Sequence, residues 1–405
     1  MSKGQKLFRP RWRKVLADLW DNKLRTALVV ASIAVGVFAV GTIANSYAVI
    51  SEDINVSYAS INPANIEIVT DPFDEDVVDS IKSVPGVKDA VGQHFVGVRL
   101  SKDGDRWISH NVVAQDDAPN SPVSQRLPFE GQSYPSGRDF VIERNNFYSN
   151  DYETGDTLLV ELPNGDIREM ELLGGVRDQA GAGRDVAALP TVSVTMDTLN
   201  WLGQPENFNR LLVTVDGDSD DEAHIKEVSA AVEDKLEKGG RTTYRTIIGK
   251  TNEHPFGSTV AAMLAVMGAL GVLVMVLSGS LIANTLNALL SQHLRQIGVM
   301  KLVGARSFQV QTMYLLLILS FGMIALIIAI PLSIAASYGL VNVLADQINI
   351  ILQPYRFTPW VVVVMVLGGL SIPLIAGYFP VRHGSRTTVR RAISDDGMGA
   401  QPTDP

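Results

Sequence analysis

The side chains of this 405-residue chain that could do chemistry are scattered rather than grouped. Six histidines occur, His94, His110, His224, His254, His293 and His383. No two have the i, i+4 spacing that would place two metal ligands on one helix face. There is no Gly-x-Ser-x-Gly elbow to present a nucleophilic serine. Cysteine is absent, which excludes thiol catalysis, disulfides and cysteine-ligated metal or iron–sulfur centres. The acidic groups Asp116-Asp117 and Asp218, Asp220 and Asp221 could hold a cation or simply solvate a loop; the second fits a region that is acidic throughout. Gly249-Lys250-Thr251 has the ending of a phosphate-binding loop, but the glycine needed five positions before Gly249 is Tyr244, so the triplet reads as a linker. Residues 174–183 (GGVRDQAGAG) are glycine-rich without a phosphate-type helix start, and read as a loop.

With no catalytic constellation to position, the elements themselves carry the information. Four long apolar stretches run over about 26–50, 256–290, 310–344 and 359–381, and none contains Lys, Arg, Asp, Glu or His. Each exceeds the roughly 20 residues that cross a bilayer core as a helix, and a charge at that depth would be costly. The expected fold is an α-helical membrane protein with four spans arranged 1+3, with residues 51–255 inserted between the first two. The run from Thr26 to Val49 is about twice the length of a signal-peptide core, so it reads as a span rather than a cleaved leader. Spans without ionisable groups also argue against an ion-coupled pump.

Charge orients the chain. Residues 1–25 hold eight Lys and Arg against Asp18 and Asp21; residues 291–309 hold Arg295, Lys301 and Arg306 and no acid; Arg382, Arg386, Arg390 and Arg391 follow the fourth span within the 382–405 tail. The 345–358 loop has only Asp346 and Arg356. The positive-inside rule places both termini and the 291–309 segment in the cytoplasm, and the inserted region outside it, in a multi-pass plasma-membrane protein of bacterial type. The inserted region holds 37 acids against 18 bases, a balance of −19, and the rest carries +10; the net −9 conceals two opposite compartments. Nothing in an acidic exterior invites nucleic acid.

The inserted region is large enough for its own core and its pattern is mixed, giving an α+β domain. Strands are expected at 66–69, 96–100, 112–114, 140–143, 192–194 and 211–215, helices at 73–84 and 222–238, and a hairpin around Pro163-Asn164-Gly165-Asp166, with a division into two lobes around 93–185. Before the first span, Trp12, Leu16 and Trp20 recur at helical spacing among basic residues, either as an interfacial helix lying on lipid or as a flank that only anchors topology. Within the spans, small residues four apart (Ser32 and Gly36, Gly279 and Ala283) suit close helix packing, within the chain or in a dimer. Asn284 and Asn287, unusual in a span, are expected to hydrogen-bond within the bundle. Span two then runs into a basic amphipathic segment, which reads either as a short helix docking on a cytoplasmic partner or as a topology-setting loop.

That segment, residues 295–305 (RQIGVMKLVGA), closely resembles the cytoplasmic signature R-x-E-I-G-x-x-K/R-x-x-G-A of the MacB/FtsX-like ABC transporter permeases. The resemblance extends to the 1+3 layout and to Ile61-Asn62-Pro63-Ala64, Val84-Pro85-Gly86-Val87, Thr154-Gly155-Asp156-Thr157 and Pro380-Val381-Arg382. It implies a MacB-like core domain over 51–255 and an FtsX-like permease domain over 256–381. It also implies a 291–309 coupling helix in which Arg295, Gln296, Gly298, Lys301, Gly304 and Ala305 meet a separate cytoplasmic ATPase. Gln296 stands where the family's acid usually lies, so a charge pair at that point is missing, and span three lacks the glutamate often found near its start in relatives. By the same resemblance the chain binds no cofactor, ATP and Mg2+ residing in the partner, and it acts as a non-catalytic homodimeric subunit in export or mechanotransmission, with an extracytoplasmic protein as a further partner. The alternatives are an ATP-independent membrane receptor or scaffold and, more remotely, a membrane-anchored enzyme.

Overall fold

The computed structural model describes residues 23–115, 120–179, 189–356 and 358–386. They divide into two compact units. One holds the residues up to Val49, Ala262–Val341 and those from Tyr355 on; the other holds Ile50–Ala261 and Asn342–Pro354.

Among the described residues four helices are long and apolar enough to cross a bilayer, α1 (Lys23–Ser60), α6 (Gly257–Leu302), α7 (Ser307–Gln347) and α8 (Pro359–Arg386); the membrane unit takes α1 up to Val49, α6 from Ala262, α7 up to Val341 and α8. Ile33, Val37, Met275, Ile282, Leu286, Tyr314, Ile318 and Met365 form its core. Polar groups inside it are paired: the Asn45 amide donates to Ser337 Oγ (2.8 Å) and accepts from the Thr358 N–H (3.2 Å). Two boundaries differ from expectation. α1 continues to Ser60, because Ile50, Ile54 and Tyr58 extend its buried stripe at four-residue spacing after the apolar run ends. α6 likewise continues to Leu302, so residues 291–302 extend span two and are not a separate short helix.

Among the described residues the inserted unit carries ten strands. In chain order they are β1 (Ile66–Phe73), β2 (Val87–Ser101), β3 (Ile108–Ala114), β4 (Leu127–Gly131), β5 (Asp139–Glu143), β6 (Thr157–Glu161), β7 (Ile167–Arg177), β8 (Thr191–Val194), β9 (Phe208–Val215) and β10 (Thr243–Ile248). Five helices or shorter helical turns are interspersed with them or follow them: α2 (Glu75–Lys82), α3 (Arg144–Ser149), α4 (Met196–Trp201) and α5 (Glu222–Lys238) lie between strands, and α6 follows β10. The order β10-β1-β9-β2-β3-β8-β5-β7-β4, with β6 against β2 and β7, hides two lobes. The 15-residue β2 joins them. Its first half pairs with β9 up to Gln93–Arg210, and from His94 it pairs with β3. The first lobe is antiparallel and packs α2 and α5 on its sheet, α5 burying Ile225, Val228, Val232 and Leu236 on one stripe. The second lobe mixes parallel pairs (β3–β8, β5–β7) with the β6–β7 hairpin, whose turn is closed by Gly165 at φ +88°. The glycine-rich stretch is partly strand, since Gly174 and Gly175 lie in β7; residues 180–183 lie outside the described set.

Candidate functional site

The segment singled out by sequence is a helix end, a turn and a helix start. α6 stops by a Schellman cap: the Ala305 N–H donates to Met300 O (2.9 Å) and the Gly304 N–H to Lys301 O (3.0 Å). This geometry requires a left-handed residue, supplied by Gly304 at φ +99°. The next helix begins at once, the Gln309 side chain accepting from the Arg306 N–H (3.1 Å). The glycine and alanine of the signature are thus a stop signal with a mechanical reason. One side of the segment is anchored, with Ile297 fully buried beside Val310, Met313 and Tyr314. The other side is bare: Val303 is 85% and Phe308 75% exposed, with Leu302 and Val299 next to them. Gly298 is buried inside the helix and makes no turn there; Gln296 is exposed, and Lys301 and Ala305 are half-buried. The Arg295 side chain, and Trp12, Leu16 and Trp20, lie outside the described residues.

The proposed helix-packing residues separate. The Ser278 hydroxyl donates to Ser32 O (2.8 Å), and a Cβ on Gly36 would lie 3.1 Å from the Met275 Cα, so the Ser32–Gly36 pair is filled by this chain's own α6. Gly279 lies against Ile372 and Ala376 of α8, and Ala283 is half-buried. Among the described residues the Asn284 and Asn287 side chains do not hydrogen-bond within the bundle. Both are exposed, and among the described residues their side chains have no partner. The packed face of α6 is taken by Met275, Ile282 and Leu286, and these asparagines lie on the opposite side.

The remaining chemical candidates are structural. Among the described residues no group of three or more His, Asp or Glu could hold a metal. Asp116 and Asp117 lie outside the described residues. Asp218 and Asp221 accept from nearby backbone N–H groups, Asp221 as the cap of α5, and Asp220 accepts from Asn252. Gly249 and Thr251 are locked to the buried Asn65. Its side-chain amide donates to Gly249 O (3.2 Å) and Thr251 Oγ1 (3.0 Å), and its backbone O accepts from the Gly249 N–H (2.8 Å). A phosphate would need the donors that these contacts occupy. Among the histidines, His94, His110, His224 and His383 each meet a backbone carbonyl, and His293 meets the Tyr314 hydroxyl (3.1 Å). His254 Nδ1 accepts from the Phe256 N–H, which leaves the proton on Nε2.

A second cluster escaped sequence reading. Residues 346–353, the last two residues of α7 and the segment after it, belong to the inserted unit and are strapped to the rest of it. Arg144, almost fully buried, donates to the Asp346 carboxylate (2.8 Å) and backbone O (3.0 Å), with Phe129 and Tyr148 beneath its guanidinium. Arg177 donates to Ile350 O (3.3 Å), and burial together with neighbouring Arg144 lowers its pKa. Glu143 accepts from the Asn349 amide. From α1, Ser57 Oγ accepts from the Ile351 N–H (2.8 Å) and the buried Asp53 from the Gln353 N–H (3.2 Å). The one legible trace was Asp346, the sole acid of an otherwise quiet loop.

Four apolar helices with an α+β domain inserted after the first define an integral membrane protein of 1+3 layout. Residues 268–389 match the family model described as FtsX-like permease C-terminal. Two solved structures resemble part of the chain. The extracellular domain of the noncanonic ABC-type transporter YknZ from Gram-positive bacteria matches at 11% identity and TM-score 0.31, over 44% of this chain and 100% of that one. The periplasmic region of MacB from Actinobacillus actinomycetemcomitans matches at 9% identity and TM-score 0.31, over 50% and 92%. No curated protein matches the chain. The C-terminal part of the chain, residues 268–389, is thus similar to an FtsX-like permease.

Proposed function

We propose that the chain takes force from a separate cytoplasmic ATP-binding subunit at the α6–α7 turn and delivers it to the inserted domain on the outer side of the membrane. The observation that carries this reading is the bare apolar knob of Val303 and Phe308 beside Lys301 and Arg306. Two large apolar side chains held out at a capped turn favour a protein cover, and the basic flank supports a cytoplasmic side for that turn. α6 supports transmission. Its 46 residues form one uninterrupted helix, about 69 Å at 1.5 Å per residue. The partner would hold ATP and Mg2+, two permease copies would serve two ATPases, and the work is export of a substrate or actuation of an extracytoplasmic protein.

The test is co-purification of the full chain with ABC ATPase subunits of its own cell, and of Val303→Glu and Phe308→Glu variants. The wild-type chain should retain the ATPase, and each variant should lose at least tenfold of it while keeping its thermal midpoint. An ATP-independent receptor would retain no ATPase. Retention unchanged by both substitutions would place the contact elsewhere.

A further inference from the structure

Among the described residues of the inserted unit, Arg99, Arg138, Arg144, Arg168, Arg177 and Arg210 stack on aromatic rings. Four of them also use the guanidinium fork within the chain. Arg99 meets Glu161, Arg144 meets Asp346, Arg210 meets Glu67, and Arg177 donates to Ile350 O. Arg138 and Arg168 differ. Both lie over the indole of Trp201, 5.0 and 5.6 Å from the ring centre, and among the described residues neither has a hydrogen bond or an ion pair. The Trp201 Nε1–H has no partner there either, whereas that of Trp107 donates to Gly104 O (2.9 Å).

Three elements hold this group in place. Trp201 ends α4 and packs against the core of the unit beside the fully buried Leu199. The turn before β5 brings in Arg138, and the Thr198 hydroxyl of α4 pins that turn by donating to Gly137 O. β7 brings in Arg168, on the face that also carries Met170 and Leu172. The acids nearby in sequence do not neutralise the pair. Asp139 accepts from the Ser136 N–H (2.8 Å) and hydroxyl (3.2 Å), Glu169 falls on the other face of β7, and Asp197, one turn before Trp201, pairs with neither arginine.

A guanidinium stacked on a ring keeps its N–H donors in its own plane, free to point past the ring edge. Two such forks and an indole N–H offer donors and two positive charges, and no acceptor. An oxyanion fits that set, and a phosphate, with three free oxygens and up to two charges, fits two forks better than a carboxylate does. The surrounding unit has a balance of −19, so an anion is held there by short contacts and not by a general field. Position selects the source. Arg177, at the far end of β7, is tied to the strap that joins this unit to α7 and α8. Nine residues of strand, roughly 30 Å, separate it from Arg168. That distance from the chain's connections to two spans favours a soluble phosphate ester over a lipid headgroup.

We infer that Arg138, Arg168 and Trp201 form a binding site for a soluble phosphate monoester on the inserted domain. The inference goes beyond the coupling to an ATPase and does not depend on it.

The test is calorimetric titration of the full chain in detergent, in phosphate-free buffer of low ionic strength, with glycerol phosphate. Binding should saturate and should weaken as salt is added. Arg138→Gln and Arg168→Gln should each weaken it at least fivefold at an unchanged thermal midpoint. Arg99→Gln, which removes a stacked arginine already engaged by Glu161, should leave it unchanged. If a glutamine variant melts early, Arg138→Lys and Arg168→Lys, which keep the charge and lose the fork, should still weaken binding at least twofold. No saturable heat, or equal affinity in all variants, would overturn the site. Acetate bound as tightly as glycerol phosphate would overturn the choice of phosphate. Binding to phosphatidylglycerol vesicles without binding of the soluble ester would overturn the choice of a soluble ligand.

Discussion

The strap formed by residues 346–353 invites a quantitative test at Arg144. Arg144→Ala removes two hydrogen bonds to Asp346, one of them charge-assisted, and the stacking on Phe129 and Tyr148. A hydrogen bond from a charged group contributes about 1.5–3 kcal/mol. Because the Asp346 carboxylate is 55% exposed, its side of the pair is screened and amounts to about 1 kcal/mol or less. Arg144→Ala should therefore destabilise the strap by about 2–3 kcal/mol, Asp346→Ala by about 1, and the double mutant should show coupling of about 1 kcal/mol. The readout is amide exchange of the full chain in detergent at Ile350, Ile351 and Gln353, whose N–H groups bond to Ala345 O, Ser57 Oγ and Asp53. Exchange there should speed up roughly 30- to 150-fold in Arg144→Ala if opening is local. Arg144→Lys, with one ammonium in place of a two-pronged fork, should fall between. A change below about twofold in a folded Arg144→Ala protein would show that the fully enclosed Ile350 holds the strap and the arginine does not.

Three further perturbations follow from single residues. Burial lowers the His254 pKa from 6.5 to about 4, so the folded protein keeps it neutral while the unfolded chain takes up a proton. Stability is then complete above about pH 6.5 and falls as pH drops toward 4, by up to roughly 3 kcal/mol; buried His110, also lowered, acts with the same sign. Thermal midpoints at pH 7.5, 5.5 and 4.5 should trace this loss, and His254→Phe should flatten it. Gly304→Val forces a β-branched residue to φ +99° and should cost about 2 kcal/mol, seen as a lower thermal midpoint, whereas an equal midpoint would mean that the cap rearranges freely. Asn65→Leu strips the Val215 N–H (3.1 Å), Gly249 O and Thr251 of their partner. It should cost about 3–5 kcal/mol in urea unfolding followed by tryptophan fluorescence, and a loss under 1 kcal/mol would mean that water replaces the amide.

What the sequence made legible was whatever is written in local composition. An apolar run without charge is a span, and Glu222–Lys238 is a helix because Ile225, Val228, Val232 and Leu236 repeat on one face. Helix ends were less legible. α1 and α6 outlast their apolar runs, carried by residues such as Tyr58 and Ile297 that find buried partners elsewhere in the chain. β10 is absent from the expected strands because its strand character depends on pairing with β1, about 180 residues away. β2 shows the same limit within one strand. Nothing local distinguishes Gln93 from His94, yet pairing changes there from β9 to β3 and one lobe becomes two.

Asn284 is the most instructive disagreement. The expectation that an amide in a span needs a hydrogen-bond partner rests on the cost of a bare polar group in hydrocarbon, and that cost does not depend on topology. The bundle was the nearest source of a partner, but in α6 the inward face is already filled by Met275, Ile282 and Leu286, and Asn284 lies away from it. Ser278, by contrast, sits on the inward face and does find partners there, in Ser32 O and Val274 O. The two polar residues are six apart, 600° around the helix, which puts them roughly 120° from each other. Among the described residues the chain satisfies only the one that faces its own bundle.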